Sequence, residues 1–208
     1  QLAMLGRFLG RMHQVGKAKA FRQRPAFSVE SHLLQSRDVL HALEFIPAYL
    51  RPAFDTALNQ VIELAAQQYL PGQLIRLHGD CHAGNLFYVD EGPFFVDLDD
   101  CRSGPAIQDI WMMLSGDRLQ QRDTLKLMLE EYEQYCEFDP AELKLIEPLR
   151  AMRMVHYMAW LARRWQDPAF PMNFPWFATD KYWEQQCLAL KEQLSALQQA
   201  PLSLVPDY

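Results

Sequence analysis

No stretch of the chain approaches the ~20 consecutive apolar residues that a membrane-spanning helix requires. The longest apolar runs, such as Met158-Ala159-Trp160-Leu161-Ala162, are far shorter, and no basic segment followed by an apolar one opens the sequence. A cytoplasmic protein, with no membrane partner, is the expectation. Glycine is scarce at 9 residues, and the 13 prolines fall without period, which excludes collagen-like and low-complexity character. Only four cysteines occur (Cys81, Cys101, Cys136, Cys187), widely and irregularly spaced, so reduced thiols are expected rather than a disulfide framework. No run of five like charges exists and the net charge is −6, which argues against nucleic acid or an anionic membrane as the principal partner. What the 208 residues do contain is apolar mass: half are hydrophobic and 12% aromatic, enough to bury one sizeable core or two small ones.

Leu2, Leu5, Leu9 and Met12 lie at helical spacing from the start, with no Ser, Thr, Asp or Asn ahead of them to cap a first turn. The chain is therefore expected to begin inside a helix, running to about Gln14 and stopping at Gly16. Gly6 and Gly10 stand one turn apart on it, where another backbone can approach closely. Ser28 is the expected N-cap of a helix over Val29–Leu43, and Phe54, Leu58, Val61, Ile62 and Ala65 mark an amphipathic helix that Pro71-Gly72 ends. Then the period changes. Leu74–Leu77, Leu86–Val89 and Phe94–Val96 read as short strands, the last two joined by the turn Asp90-Glu91-Gly92-Pro93. Helical periods return over Ile107–Leu114, Asp123–Tyr135 and Ala141–Trp165, with Pro148 expected to break or kink the last of these. An aromatic loop over Asp167–Phe177 precedes a final helix over Asp180–Leu197. The expected fold class is mainly α with a small β-hairpin insert, α+β.

Polar residues crowd into that insert, in His78-Gly79-Asp80-Cys81-His82-Ala83-Gly84-Asn85 and in Asp97-Leu98-Asp99-Asp100. The spacing His-x-Asp-x-x-x-x-Asn reproduces the catalytic loop of protein kinases, in which the Asp accepts the substrate hydroxyl proton and the Asn holds a magnesium ion. Asp80 and Asn85 fill those positions. A second carboxylate is then needed at the end of a following strand to bridge metal and phosphates, and Asp97, directly after Phe94-Phe95-Val96, meets that need.

These residues, with Asp109-Ile110-Trp111 beyond them, resemble the aminoglycoside phosphotransferase-type branch of the protein-kinase-like superfamily. Within it the sequence resembles the bacterial stress response kinase A family of serine/threonine protein kinases, through Leu77–Asn85 and Asp97–Asp100 and again through Leu149–Arg153 and Asp167–Pro171. The resemblance implies ATP and Mg²⁺, with Asp80 as catalytic base, Asn85 and Asp97 as metal ligands, and Phe87 and Val96 as an apolar floor beneath the adenine. It also implies that His78 buttresses the loop and that Asp109 is a buried scaffold carboxylate accepting backbone N–H groups of the catalytic loop. Gly79 stands where eukaryotic protein kinases carry Arg, and Asp97-Leu98-Asp99 replaces Asp-Phe-Gly, so switching through a phosphorylated activation loop is not expected. No Gly-rich phosphate loop, strand Lys with a partner Glu, or adenine hinge occurs. Residues 1–208 are accordingly expected to be a kinase-like C-terminal lobe whose N-terminal lobe is missing, inactive alone and monomeric.

Other readings compete. The expected acceptor is a protein seryl or threonyl hydroxyl; the alternatives are a small-molecule kinase acting on an aminoglycoside, choline or a sugar-like alcohol, and a non-catalytic pseudokinase module. His78, Asp80 and His82, completed by Cys81, Cys101 or Asp99, are a weaker transition-metal alternative. Asp99 and Asp100 read as extra metal ligands or, more simply, as a solvated turn, and Cys81 as a redox thiol or a packing residue. Arg150, Arg153, Arg163 and Arg164, interleaved with Trp160 and Trp165, form either a phosphate-binding face or a half-solvated helix. His13, His32, His41 and His156 have no inferable partner and are read as surface or satisfied core residues.

Overall fold

The computed structural model describes residues 1–90 and 92–205. In chain order they form α1 (Leu2–Lys17), a π-helical turn (Glu30–Leu34) that runs directly into α2 (Gln35–His41), α3 (Arg51–Gln68), β1 (Ile75–Leu77), β2 (Leu86–Val89), β3 (Gly92–Phe95), β4 (Arg102–Gly104), α4 (Gln108–Trp111), α5 (Arg118–Tyr132), α6 (Ile146–Arg164), α7 (Ala169–Asn173) and α8 (Asp180–Gln198). The fold is mainly helical with antiparallel β structure in the middle of the chain, as the hydrophobic periods require. None of the described helices is long and apolar enough to cross a membrane.

The chain divides into two compact units. The first comprises residues 1–27, 71–146 and the end of the chain from Pro201, and it carries all four strands. Its helices α1 and α5 meet backbone to backbone, because Gly6 and Gly10 present no side chain. A Cβ on Gly6 would collide with the Met128 carbonyl, and one on Gly10 would lie 2.5 Å from the Tyr132 carbonyl oxygen. Leu5 and Leu9 are buried beside them, and Phe8 packs its ring 5.4 Å from Phe95 of β3. Thus α1 is the platform on which the β structure rests.

Two antiparallel pairs make up that β structure. β2 and β3 form the expected hairpin, in the register Leu86↔Phe95, Phe87↔Phe94, Tyr88↔Pro93 and Val89↔Gly92. The strand is Gly92–Phe95 rather than Phe94–Val96, so Val96 lies just past its end. Of the predicted turn, Glu91 lies outside the described residues. β1 pairs with β4 as Ile75↔Gly104, Arg76↔Ser103 and Leu77↔Arg102. β4 went unpredicted because Arg102-Ser103-Gly104 carries no apolar alternation; its strand character comes from β1 on one side and from the Pro25–Phe27 backbone on the other. There Phe27 N–H donates to Ser103 O and Ser103 N–H donates to Pro25 O.

The second unit holds residues 28–70 and 147–200. Ser28 caps as expected, its Oγ accepting the Ser31 N–H at 3.2 Å. α3 and α8 pack through Phe54 and Trp183, whose rings meet edge to face at 5.6 Å, and Gln68 Nε2 donates to Leu197 O.

Four further differences from the sequence reading have local causes. α1 runs through Gly16 to Lys17, because Gly16 is wanted for its close approach to the Arg76 backbone and not as a stop. α5 starts at Arg118, five residues early, on a capping box in which Asp117 and Gln120 exchange side-chain and backbone bonds. Pro148 does not break α6, since it falls in the helix's first turn, where no intrahelical N–H is required; a 3₁₀ segment over Pro140–Leu145 precedes it. The aromatic stretch after Asp167 is no open loop. It contains α7 and a 3₁₀ turn (Pro175–Ala178), held by Phe170 and Phe174 against Trp160 and by Phe177 against Trp165 and Trp183.

A candidate phosphoryl-transfer site

The loop after β1 is anchored from below by one carboxylate. Asp109, fully buried in α4, accepts the His78 N–H on Oδ2 at 2.8 Å and the Gly79 N–H on Oδ1 at 2.9 Å. His13 of α1 stands behind it, with Nε2 3.2 Å from Asp109 Oδ2 and Nδ1 2.9 Å from the Tyr132 hydroxyl. The scaffold carboxylate implied by the resemblance is therefore in place, and His13 is a satisfied core residue. The Gln108 side chain adds a third tie, donating to Gly79 O while accepting from Trp111 Nε1.

Gly79 has a geometric reason for its place in the loop. Its φ is +90°, and a Cβ would collide with the Asp100 carbonyl, so neither an Arg nor any other side chain fits there without moving the loop. The next strand end is bound just as closely. His78 Nε2 lies 2.8 Å from Val96 O, which buttresses the loop against the residue before Asp97.

Asp80 and Asn85 are brought together. Asn85 Nδ2 donates to the Asp80 carbonyl at 3.1 Å, which turns the amide oxygen Oδ1 the other way. The Val96 N–H donates to Asn85 O, so Asp97 follows immediately beside Asn85. Asp80 and Asn85 are half-buried, and Asp97 is exposed. Asp97 is the only described non-glycine residue with a positive φ, at 62° with ψ 71°, a conformation that costs an ordinary residue about 1–2 kcal/mol. Arg24 holds the segment after it, giving Nη1 to the carbonyls of Leu98, Asp99 and Cys101. Arg24 was invisible in the sequence reading because it lies some seventy residues away, in a basic connector without a motif.

The donors suit a hard cation. An amide oxygen and a carboxylate on adjacent strand ends are oxygen ligands of the type Mg²⁺ takes, and Mg²⁺ usually fills its remaining positions with water and phosphate. Among the described residues no three His, Cys, Asp or Glu side chains converge on a metal-sized site. His78 is committed to Val96, so the transition-metal alternative lacks a ligand set. Asp99 and Asp100 are exposed, with Asp100 2.6 Å from Arg102, as in a solvated turn. Cys81 is fully buried, and that burial pushes its thiol well above its ordinary pKa, so it is a packing residue.

Phe87 is 55% exposed, and the register sets the equally exposed Phe94 directly across from it. Nothing in the sequence distinguishes Phe94 from other strand residues; the cross-strand register singles it out. Val96 is half-buried at the same end of the hairpin. In the second unit two arginines of α6 have partners on their own helix, Arg150 with Glu147 at 3.2 Å and Arg164 over the Trp160 ring at 4.7 Å.

The model of the phosphotransferase enzyme family matches residues 1–146. "Stress response kinase A" of Escherichia coli O157:H7 is 49% identical over 209 residues, covering all of this chain and 63% of that protein. "Serine/threonine protein kinase RdoA" of Salmonella typhimurium is 49% identical over 212 residues, again covering all of this chain and 63% of its own length. The chain thus spans about 63% of the length of these relatives. Among solved structures, the amicoumacin kinase hAmiN in complex with AMP-PNP, Ca²⁺ and Ami superposes with a TM-score of 0.64 at 18% identity, over 97% of this chain and 60% of that one. A microcompartment-associated aminopropanol kinase superposes with a TM-score of 0.63 at 16% identity, over 98% and 64%. At such identities these two report the fold alone, whereas the family model, matching well over half of the chain, establishes that this protein belongs to the phosphotransferase enzyme family.

Proposed function

We propose that these residues form the catalytic and metal-binding lobe of an ATP-dependent kinase that phosphorylates a seryl or threonyl hydroxyl of a protein. The observation that carries the reading is the bonding of Asp80, Asn85 and the Val96-Asp97 strand end into one loop-and-hairpin unit over the buried Asp109. In that arrangement Asp80 accepts the proton of the acceptor hydroxyl as its oxygen bonds to the γ-phosphorus and the bond to the ADP oxygen breaks. Asn85 Oδ1 and the Asp97 carboxylate would hold Mg²⁺, which would supply charge neutralisation at the phosphates. Phe87 and Val96, with Phe94 beside them, make the apolar floor for the adenine. The nucleotide's other contacts, as in a complete kinase, come from residues outside these 208, and the lobe alone does not turn over ATP. The chain's span of 63% of its kinase relatives supports that reading.

A protein acceptor is favoured because a relative 49% identical along the whole chain is named a serine/threonine protein kinase. A small-molecule hydroxyl is the second reading, favoured by the fold's likeness to the amicoumacin and aminopropanol kinases. The test is transfer of radiolabel from Mg-ATP by the full-length protein, into casein and into spectinomycin, choline and 1-amino-2-propanol. Asp80→Ala should retain Mg-ATP binding by calorimetry and lower turnover by about 10²–10⁴-fold; Asp97→Asn should lose the binding itself. Equal loss of binding in the two variants overturns the roles, and label confined to a small molecule overturns the protein acceptor.

A further inference from the structure

We propose that His82 is a positioning residue that orients the Asp80 carboxylate, an inference that rests on the kinase reading above. His82 adopts an extended conformation at the start of a 3₁₀ turn over Ala83–Asn85, and its Nδ1 accepts the Gly84 N–H at 2.9 Å. A ring nitrogen that accepts a hydrogen bond carries no proton, so the ring hydrogen is on Nε2. Nε2 lies 3.3 Å from Asp80 Oδ2. The pair meets as a close polar contact rather than as a formed hydrogen bond, the looser geometry that catalytic contacts show before substrate tightens them.

The turn is built around this ring. A Cβ on Gly84 would come within 2.7 Å of the imidazole Cε1, so glycine is what lets the ring close over the backbone. Asp80 is held at its other end as well, its carbonyl accepting the His82 N–H at 3.0 Å and the Asn85 side chain at 3.1 Å. With the backbone pinned, the imidazole edge 3.3 Å from Oδ2 adds a restraint on rotation of the side chain. The Asp80 and His82 side chains are only 23% and 33% exposed, so water competes weakly for the contact. Both ring nitrogens are thereby engaged, which also accounts for His82 without a metal.

Two variants separate this role from support of the turn. Asn places an acceptor near the Nδ1 position and stops short of Asp80; Gln reaches the Nε2 position with an N–H. In the full-length protein, using labelled Mg-ATP and whichever of casein, spectinomycin, choline or 1-amino-2-propanol accepts label, His82→Asn should lower kcat by about 10–100-fold. The KM for Mg-ATP should change by less than about twofold, since only an interaction of the transition state is lost. His82→Gln should recover most of kcat. A kcat for His82→Asn within about twofold of wild type, a loss confined to KM, or equal losses in both variants overturns the inference. Asp80→Ala separates the two levels: if it lowers transfer by about 10²–10⁴-fold while His82→Asn stays within about twofold of wild type, only the positioning role falls, and if Asp80→Ala also stays within about twofold of wild type the kinase roles fall with it.

Discussion

Replacing Asp109 by Asn tests how the loop after β1 is held. The change is nearly isosteric, so it leaves no cavity and isolates the polar contacts. Asp109 offers two carboxylate oxygens to the His78 and Gly79 N–H groups, and Oδ2 also faces His13. Asn keeps one acceptor and turns an NH₂ group toward a backbone donor. Losing a hydrogen bond to a charged group costs about 1.5–3 kcal/mol, and a buried donor left unsatisfied costs about 1–3 kcal/mol. Together these predict a destabilisation of about 3–5 kcal/mol, toward the range for breaking a buried charged network. For a chain of this size each kcal/mol lowers Tm by about 2–4 °C, so the melt followed by circular dichroism should shift down by about 6–20 °C. Native-state hydrogen exchange should show the loss locally, as faster exchange of the Gly79 amide. A Tm within about 2 °C of wild type, with the Gly79 amide as protected as before, would refute the reasoning.

Three other perturbations follow from the same geometry. Gly10→Ala inserts a Cβ against the Tyr132 carbonyl and should cost about 1–3 kcal/mol in urea unfolding, whereas Gly72→Ala, with nothing within 4 Å, should be neutral or slightly stabilising. Glu142 accepts the Ile107 N–H at 2.8 Å, and burial pushes its carboxyl from 4.5 up to about 7. The folded chain therefore holds a proton that the unfolded chain releases near pH 4.5; the associated stability is full below that pH and is lost as pH rises through about 7, by at most about 3 kcal/mol. Glu142→Gln keeps an acceptor for Ile107 and should flatten that slope in urea titrations at pH 4.5 to 8; an unchanged slope would assign it to other groups. Cys81, buried and with its thiol pKa raised, should resist iodoacetamide in the native protein while the half-exposed Cys101 reacts first, which peptide mass mapping reads directly.

Much of the local structure was legible because its causes lie within a few residues. Ser28 capping Ser31, the helical period from Phe54 to Ala65 in α3 and the short apolar runs that make β2 and β3 are all short-range signals. Short-range signals also set two boundaries against the apolar periods: the Asp117–Gln120 box starts α5 early, and Pro148 belongs to a first turn. β4 was a different kind of miss. Arg102-Ser103-Gly104 has no strand pattern of its own, and only β1 and the Pro25–Phe27 backbone make it one.

The sequence by itself determined the candidate site, since the spacing of His78, Asp80 and Asn85 and the following Asp97 is a property of the chain order, and the periodicity around them dictates strand ends flanked by helices. Tertiary structure alone decided what holds that loop still. His13, Arg24 and Glu142 reach Asp109, Leu98–Cys101 and Ile107 from tens of residues away, and the imidazole of His82 turns onto Asp80 only because Gly84 lets the backbone fold under it. Spacing encodes which groups are offered, but a buried carboxylate or an unpaired N–H is satisfied by whichever partner packing brings within hydrogen-bond reach, and that partner has no fixed offset in sequence.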